Sequence, residues 1–143
     1  MPQAVRQQFQ LRAEALEGVQ TIVFNSNMEL LMERSAGVVA MGGYNTFCEI
    51  LSLDKPALLI PRSNPRMEQT LRAHRASSLG FVSMLDGDGD RSPDVMIKAL
   101  NELERQPLPS TAGTDRVLSG LEVICERTRS LLSAKRNWRR DIA

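Results

Sequence analysis

A pair of glycines lies between an apolar run and a segment with helical spacing. Gly42 and Gly43 follow the run 37–41, and Asn45 and Thr46 lie just beyond them. Consecutive glycines let a ligand approach the main chain, and the free amides in a helix's first turn attract an anion such as a phosphate. The pattern therefore predicts a diphosphate site, with a tight turn that binds nothing as the alternative. It is neither Gly-x-Gly-x-x-Gly nor a lysine-bearing P-loop, which disfavours a dinucleotide dehydrogenase and a nucleoside triphosphatase.

A carboxylate follows three residues after Thr46, at Glu49. This spacing is that of a capping box, in which hydroxyl and carboxylate accept hydrogen bonds from free amides at a helix start. A carboxylate near that helix end could equally accept hydrogen bonds from two ribose hydroxyls of a ligand whose phosphates bind the same end. The spacing leaves both roles of Glu49 open.

The loop after the next apolar run, 57–60, carries a second polar group of residues. Arg62 and Arg66 could hold a phosphate or a partner's carboxylate, whereas Glu68 and Gln69 offer acceptors and an amide for sugar hydroxyls. A capped helix with solvated arginines is the alternative. If both runs are strands of one parallel sheet, their loops lie at the same edge.

Few other residues could carry chemistry. The chain has one histidine, His74, and two cysteines, Cys48 and Cys125, which are too few for a usual zinc site and offer no clear catalytic pair. We expect two buried, reduced thiols. The acidic run 86–90 lacks the surroundings of an EF-hand loop and predicts a solvated connection. No metal site is expected.

The composition describes an ordinary globular chain. It has 143 residues, 42% hydrophobic residues and a formal net charge of +1. This length suits one domain, and the charge balance excludes a chain that mainly coats nucleic acid or an anionic membrane. Its apolar runs are too short to span a bilayer, and its first residues do not resemble a secretory signal. We therefore expect a cytoplasmic setting.

The elements that position these groups alternate along the chain. Four continuous apolar runs predict buried strands at 21–24, 37–41, 57–60 and 81–85,. Helical spacing occurs at 3–17, 27–34, 44–53, 66–79, 93–106 and 114–135,. This order predicts an α/β fold, a Rossmann-like parallel sheet with helices on both faces.

Two parts are predicted within the chain. Residues 1–108 would form the α/β domain, and 109–143 a C-terminal helix and a basic tail. The apolar stripe of this helix must pack on the domain or on something beyond it. The tail, 135–140, is interpreted as a solvated end and not as a nucleic-acid site.

Taken together, the polar residues resemble the donor-binding signature of GT-B glycosyltransferases. The resemblance is carried, in this order, by Gly43, Asn45, Thr46, Glu49, Pro56, Pro61, Glu68 and Gln69. The chain is similar to the C-terminal domain of glycosyltransferase family 28, which includes the lipid-intermediate N-acetylglucosaminyltransferase of peptidoglycan synthesis. It also resembles a bacterial branch of predicted glycosyltransferases. The similarity covers about residues 36–85 and implies the C-terminal half of a GT-B fold.

The resemblance implies a binding role for each group. The diphosphate would be bound by Gly42, Gly43, Asn45 and Thr46, the ribose by Glu49, and the donor sugar by Glu68 and Gln69. Arg62 and Arg66 would contact a phosphate or the acceptor. Some relatives carry His or Arg where this chain has Met41, so the helix dipole or these arginines must offset the phosphate charge here. The family implies neither metal nor cofactor, and the catalytic residues stay unassigned.

The implied function is donor binding in an enzyme that transfers a sugar from a nucleoside diphosphate sugar, expected to be a UDP-sugar. The catalytic base would belong to an N-terminal acceptor domain, so the chain is interpreted as a fragment, inactive alone, whose first strand would precede Pro2. Peripheral membrane association of the full protein is a further implication. A hydrolase or 2-epimerase of GT-B architecture and a noncatalytic nucleotide-sugar-binding module are the alternatives.

Overall fold

Three parallel strands form the centre of the fold. The computed structural model describes residues 2–65, 67–89 and 92–140. The strands are β1 (Val38–Ala40), β2 (Ala57–Leu59) and β3 (Ser83–Met84), in the order β1-β2-β3. Val39 pairs with Leu58, and Leu59 pairs with Met84. Three of the predicted strands and their parallel arrangement are confirmed.

The helices alternate with these strands as predicted. They are α1 (Gln3–Glu14), α2 (Met28–Arg34), α3 (Tyr44–Ser52), α4 (Glu68–Ser78), α5 (Pro93–Leu103), α6 (Asp115–Leu118) and α7 (Gly120–Arg140). A 3₁₀ turn, Pro109–Ala112, lies between α5 and α6. Each crossover from one strand to the next passes through a helix, which is the connection that parallel strands require.

The strand predicted at 21–24 is wrong. This segment has no strand structure, and Val23 and Phe24 are 66% and 85% exposed. A continuous apolar run is typical of a buried strand, but a strand exists only where a neighbour supplies main-chain hydrogen bonds. Among the described residues, none pairs with this segment, and the sheet begins at β1.

The core lies where α3 and α4 pack on β2. All three residues of β2 are buried, and Ile50, Leu58 and Leu59 are at most 1% exposed. A leucine or isoleucine removed from water in this way contributes roughly 1.5–3 kcal/mol. Ala73 and Ala76 bring α4 close to the same cluster. This packing fixes the two strand ends and the two helix starts that carry the predicted site residues.

Part of the C-terminal region is tied to the core. Asp54 accepts hydrogen bonds from the Ser110 main-chain nitrogen and hydroxyl, both at 2.7 Å. Pro109 is fully buried and Thr114 is 3% exposed. The 3₁₀ turn therefore packs as part of the α/β body.

The predicted C-terminal helix is divided at Ser119 into α6 and α7. Much of its apolar stripe is exposed, since Leu121 and Leu131 are 71% and 73% accessible. Cys125 is exposed and Cys48 is half-buried. Both thiols are free, as expected, but the expectation that both are buried was wrong because α7 stands away from the core. None of the helices in the described ranges combines the length and apolar character needed to cross a bilayer.

Candidate functional site

An opening relevant to the predicted site lies at the carboxyl ends of β1 and β2. It is a cavity of about 710 Å³. Its lining comes from the strand ends, the loop after β2 and the loop after β3, with Val39, Ala40, Met41, Ile60, Pro61, Arg62, Ser63, Asn64 and Asp88. The loops therefore share one edge of the sheet, as the parallel order requires.

The two glycines of the turn before α3 differ in their surroundings. Gly42 is buried with φ of +75°, and a Cβ there would lie 3.1 Å from Leu59 Cδ1. The fold itself thus requires glycine at position 42. Gly43 has φ of −56°, and a Cβ there would meet no atom within 4 Å. Its missing side chain leaves open space beside the start of α3.

Helix α3 begins one residue after Gly43, which is its N-cap. Thr46 is thus the third helical residue, and the predicted capping box of Thr46 and Glu49 is wrong. The Phe47 amide donates to the Gly43 carbonyl at 2.8 Å, and none of the described side chains caps the helix start. The first-turn amides beside Tyr44 and Asn45 remain available to an anion.

Glu49 lies one helical turn after Asn45, on the same face of α3. It lines a separate cavity of about 370 Å³, formed with Ser26, Asn27, Met28, Glu29 and Leu30 at the start of α2. Within the described part of the chain, no group donates a hydrogen bond to its carboxylate. Glu49 is thus a half-buried acceptor facing an open space, with its capping role removed.

The start of α4 is joined to the loop after β2 through Gln69. The Arg62 main-chain nitrogen donates to Gln69 Oε1 at 3.2 Å. This contact leaves the Gln69 amide group as a donor, and Arg62 itself lines the larger cavity. Arg66, the other predicted arginine, lies outside the described residues.

Glu68 is held by Arg72, a residue for which the sequence predicted no role. Arg72 Nη2 donates to Glu68 Oε1, and Arg72 Nη1 donates to the Gly42 carbonyl at 2.8 Å. The guanidinium also lies 5.5 Å from the centre of the Tyr44 ring. The spacing of Glu68 and Arg72, one helical turn apart, was the signal that could have revealed the pair.

The acidic loop after β3 exposes Asp86, Asp88 and Gly89, as predicted for a solvated connection, whereas Gly87 is buried. A Cβ at Gly87 would collide with the carbonyl oxygen of Pro61, and Asp88 lines the larger cavity. Asp86 Oδ1 accepts from the Asp88 amide at 3.1 Å, which fixes the turn locally. Within the described ranges, no three His, Cys, Asp or Glu side chains cluster as metal ligands would.

The structure brings most predicted residues to one edge but distributes them between openings. Gly42 and Glu68 are joined through Arg72, and Gly43 follows Gly42 in the turn. Arg62 lies on the larger cavity, and Glu49 lies on the smaller one beside α2.

A parallel α/β sheet with a glycine turn before an open helix start defines a Rossmann-like domain with its candidate site at the carboxyl edge. The model of the glycosyltransferase family 28 C-terminal domain matches residues 2–125. The chain therefore belongs to this family.

Two curated relatives have the same name. The UDP-N-acetylglucosamine--N-acetylmuramyl-(pentapeptide) pyrophosphoryl-undecaprenol N-acetylglucosamine transferase of Haemophilus influenzae strain Rd is 28% identical over 116 residues, which are 81% of this chain and 33% of the relative. Its counterpart in Lachnospira eligens is 34% identical over 87 residues, 59% of this chain and 24% of the relative. The chain spans about a third or less of the length of these relatives.

A solved structure shares the fold. The glycosyltransferase VinC, crystallised in complex with DTDP, superposes with a TM-score of 0.66 at 20% identity. The match covers 86% of this chain and 31% of that chain. The α/β, GT-B-type fold predicted from the sequence is thereby confirmed.

Proposed function

We propose that this chain is the donor-binding domain of a glycosyltransferase, and that its donor is a UDP-sugar. Membership of the family supports sugar transfer, and the names of both curated relatives specify a UDP-sugar. Because these relatives are transferases, transfer is favoured over hydrolysis, epimerisation or noncatalytic binding.

The observation that carries the proposal is the shape and chemistry of the α3 start. Open space at Gly43 lets a diphosphate reach the uncapped amides, and the helix dipole favours its charge,. Asn45 and Thr46 belong to this first turn, and the Asn45 amide group and the Thr46 hydroxyl can donate hydrogen bonds to the phosphate oxygens,. No metal is needed in this arrangement, because amides and the dipole supply the stabilisation.

The nucleoside would lie on the α2 side of this helix. From Asn45 to Glu49 the helix rises about 6 Å, a distance that the ribose can bridge from a diphosphate at the helix end. The Glu49 carboxylate, to which no described group donates a hydrogen bond, would accept hydrogen bonds from the 2′ and 3′ hydroxyls,. The cavity that Glu49 shares with Ser26 and Asn27 would then receive the base.

The donor sugar would lie toward the start of α4. Glu68 retains a second carboxylate oxygen, and Gln69 retains its amide donor, after their contacts with Arg72 and Arg62. Both are suited to sugar hydroxyls. Arg62 and Arg66 are proposed to contact a phosphate or the acceptor. Met41 supplies no charge, so these arginines and the helix dipole would balance the phosphates.

The rest of the reaction is proposed to depend on another domain. In the full protein, an N-terminal domain would bind the acceptor and carry the catalytic base, so this chain alone would bind donor without turning it over. We propose a cytoplasmic site of action, with peripheral membrane association where the acceptor is a lipid.

Replacing Glu49 by glutamine tests the ribose contact. UDP binding measured by calorimetry should weaken about 5- to 30-fold, because charge-assisted hydrogen bonds contribute about 1–2 kcal/mol more than neutral ones. A second comparison uses 2′-deoxy-UDP. Wild type should bind it more weakly than UDP, whereas Glu49→Gln should discriminate less between the two.

The matched control is Glu33→Gln, which removes one exposed carboxylate from α2 without touching either cavity. It should bind UDP like the wild type. Unchanged UDP affinity in a folded Glu49→Gln variant would contradict the proposed contact between Glu49 and the ribose. A wild-type chain that binds no UDP at all would refute the proposed donor.

A further inference from the structure

We propose that Arg72 is a positioning residue that sets the direction of the Gly43 amide and so prepares the turn for the donor's diphosphate. The inference rests on the proposed function. Arg72 lies on α4 and would not itself need to touch the ligand.

Arg72 joins three elements of the site. Nη1 donates to the Gly42 carbonyl at 2.8 Å, while Nη2 donates to the Glu68 carboxylate at the start of α4. The guanidinium also lies over the ring of Tyr44, the first residue of α3, at 5.5 Å. The Arg72 side chain is only 16% exposed, although Glu68 is 61% exposed. The largely buried Arg72 side chain therefore links the Gly42–Gly43 turn to the starts of α3 and α4.

The contact with Gly42 determines more than one hydrogen bond. The Gly42 carbonyl and the Gly43 N–H belong to one planar peptide unit and point in opposite directions. Fixing the carbonyl toward Arg72 therefore fixes the N–H on the other side. That N–H makes no hydrogen bond to any described group. It is a main-chain donor available to a phosphate oxygen beside the open space at Gly43,.

A fixed peptide orientation matters most where the residues are glycines. A Gly-Gly unit can rotate its peptide plane at little cost, because neither residue carries a Cβ. Without Arg72, the carbonyl oxygen and the N–H could exchange directions, and a carbonyl oxygen aimed at the site would repel a phosphate. The guanidinium opposes this rotation because Nη1 holds the Gly42 carbonyl while Nη2 holds Glu68. A lysine ammonium is a single point charge and lacks this planar pair of donors.

Arg72 also adjusts the charge near the turn. Glu68 would otherwise place an uncompensated carboxylate beside a proposed diphosphate site, and the ion pair with Arg72 offsets that charge. Stacking on Tyr44 keeps the guanidinium plane in place. Diphosphate binding and sugar binding would thus be joined through one side chain.

The test compares Arg72→Met and Arg72→Lys with the wild type. Arg72→Met keeps much of the apolar stem and should weaken UDP binding about tenfold. Uridine has no phosphate, and its affinity should change less than about twofold. Arg72→Lys keeps the positive charge but cannot bridge Gly42 and Glu68. Its UDP affinity should therefore lie between those of the wild type and Arg72→Met. The control is Arg75→Met on the exposed side of α4, which should bind UDP like the wild type.

A second measurement reports the Gly43 amide directly. In the wild type, UDP should shift the Gly43 ¹H–¹⁵N resonance strongly, and in Arg72→Met this shift should shrink. Equal losses for UDP and uridine, together with a lower unfolding midpoint, would indicate a merely structural role and overturn the proposal. So would a folded Arg72→Lys with wild-type UDP affinity, even if Arg72→Met does not fold. Absence of UDP binding in the wild type would instead refute the proposed function.

Discussion

Two adjacent glycines in this domain serve different purposes. Gly42 has φ of +75° and lies against Leu59, so the backbone requires it. Gly43 has an ordinary φ and open space around its missing side chain, so the backbone does not require glycine there, and the space is free for the proposed diphosphate. The sequence predicted the pair as a diphosphate site without distinguishing the two. Their difference depends on the neighbouring Leu59 side chain, which no local pattern contains.

Gly43→Ser should separate stability from binding. The serine hydroxyl can cap α3, which has no side-chain cap, and should raise the free energy of unfolding by a few tenths of a kcal/mol,. The same hydroxyl would occupy the amides that the diphosphate needs, so UDP affinity should fall about tenfold.

Thermal unfolding and calorimetry on the same protein measure both effects. Gly42→Ala provides the contrast, because strain at positive φ and contact with Leu59 should lower stability by about 1 kcal/mol or more,. A Gly43→Ser variant that bound UDP as tightly as the wild type would show that the diphosphate does not use this helix start.

The elements of the fold were predictable where a local pattern and its neighbours agree. The strands at Val38–Ala40 and Ala57–Leu59 were predicted because each is a short apolar run between breakers, and each has a partner in the sheet. The run 21–24 has the same local pattern but no pairing partner in the described part of the chain, and it is not a strand. Pairing is a property of the whole sheet and cannot be inferred from one segment.

The start of α3 shows a second limit. Thr46 and Glu49 have capping-box spacing, yet the helix begins two residues before Thr46, with Gly43 as its N-cap. Glycine has no side chain that could mark it as the N-cap. The Thr46 hydroxyl was therefore predicted as the cap instead. The contact between Arg72 and Gly42 was likewise missed, because Gly42 is distant in sequence and lies near Arg72 only after the fold has formed.

Asp54 connects two elements that are far apart in sequence, the end of α3 and the 3₁₀ turn. It follows α3, and its carboxylate accepts two hydrogen bonds from Ser110 in the 3₁₀ turn. Asp54→Ala removes both and also places alanine at φ of 50°. The loss in unfolding free energy should be about 2 kcal/mol, measured by urea denaturation.

Asp54→Asn is the matched control for this link. Asparagine tolerates the left-handed conformation and keeps one carbonyl acceptor, so it should lose roughly half as much stability as alanine. If Asp54→Ala unfolds at the same urea concentration as the wild type, the 3₁₀ turn is not held to the body through this residue.

At the scale of the molecule, burial is concentrated in one part of the chain. The cluster of Ile50, Leu59, Ala73 and Phe81 lies between α3, β2 and α4. The described apolar residues of α7 are mostly exposed, with Leu121 and Ile124 at 71% and 63%. The sequence predicted that the apolar stripe of this helix packs on something, and the described fold provides little for it to pack on.

Truncation should locate where the cooperative α/β body ends. The predicted boundary at residue 108 would separate Pro109 and Thr114 from the core, although both are buried. A chain that ends at Leu118 lacks Ser119, α7 and the residues after α7, and it should keep its unfolding midpoint within about 3 °C of the full chain,. A chain that ends at Leu108 should lose about 8 °C or more. Calorimetric scans measure both midpoints, and UDP affinity of the Leu118 chain serves as the control because the proposed site lies before residue 90.

Equal destabilisation by the two truncations would mean that α7 stabilises the body despite its exposure. An unchanged midpoint for the Leu108 chain would mean that the body ends where the sequence predicted.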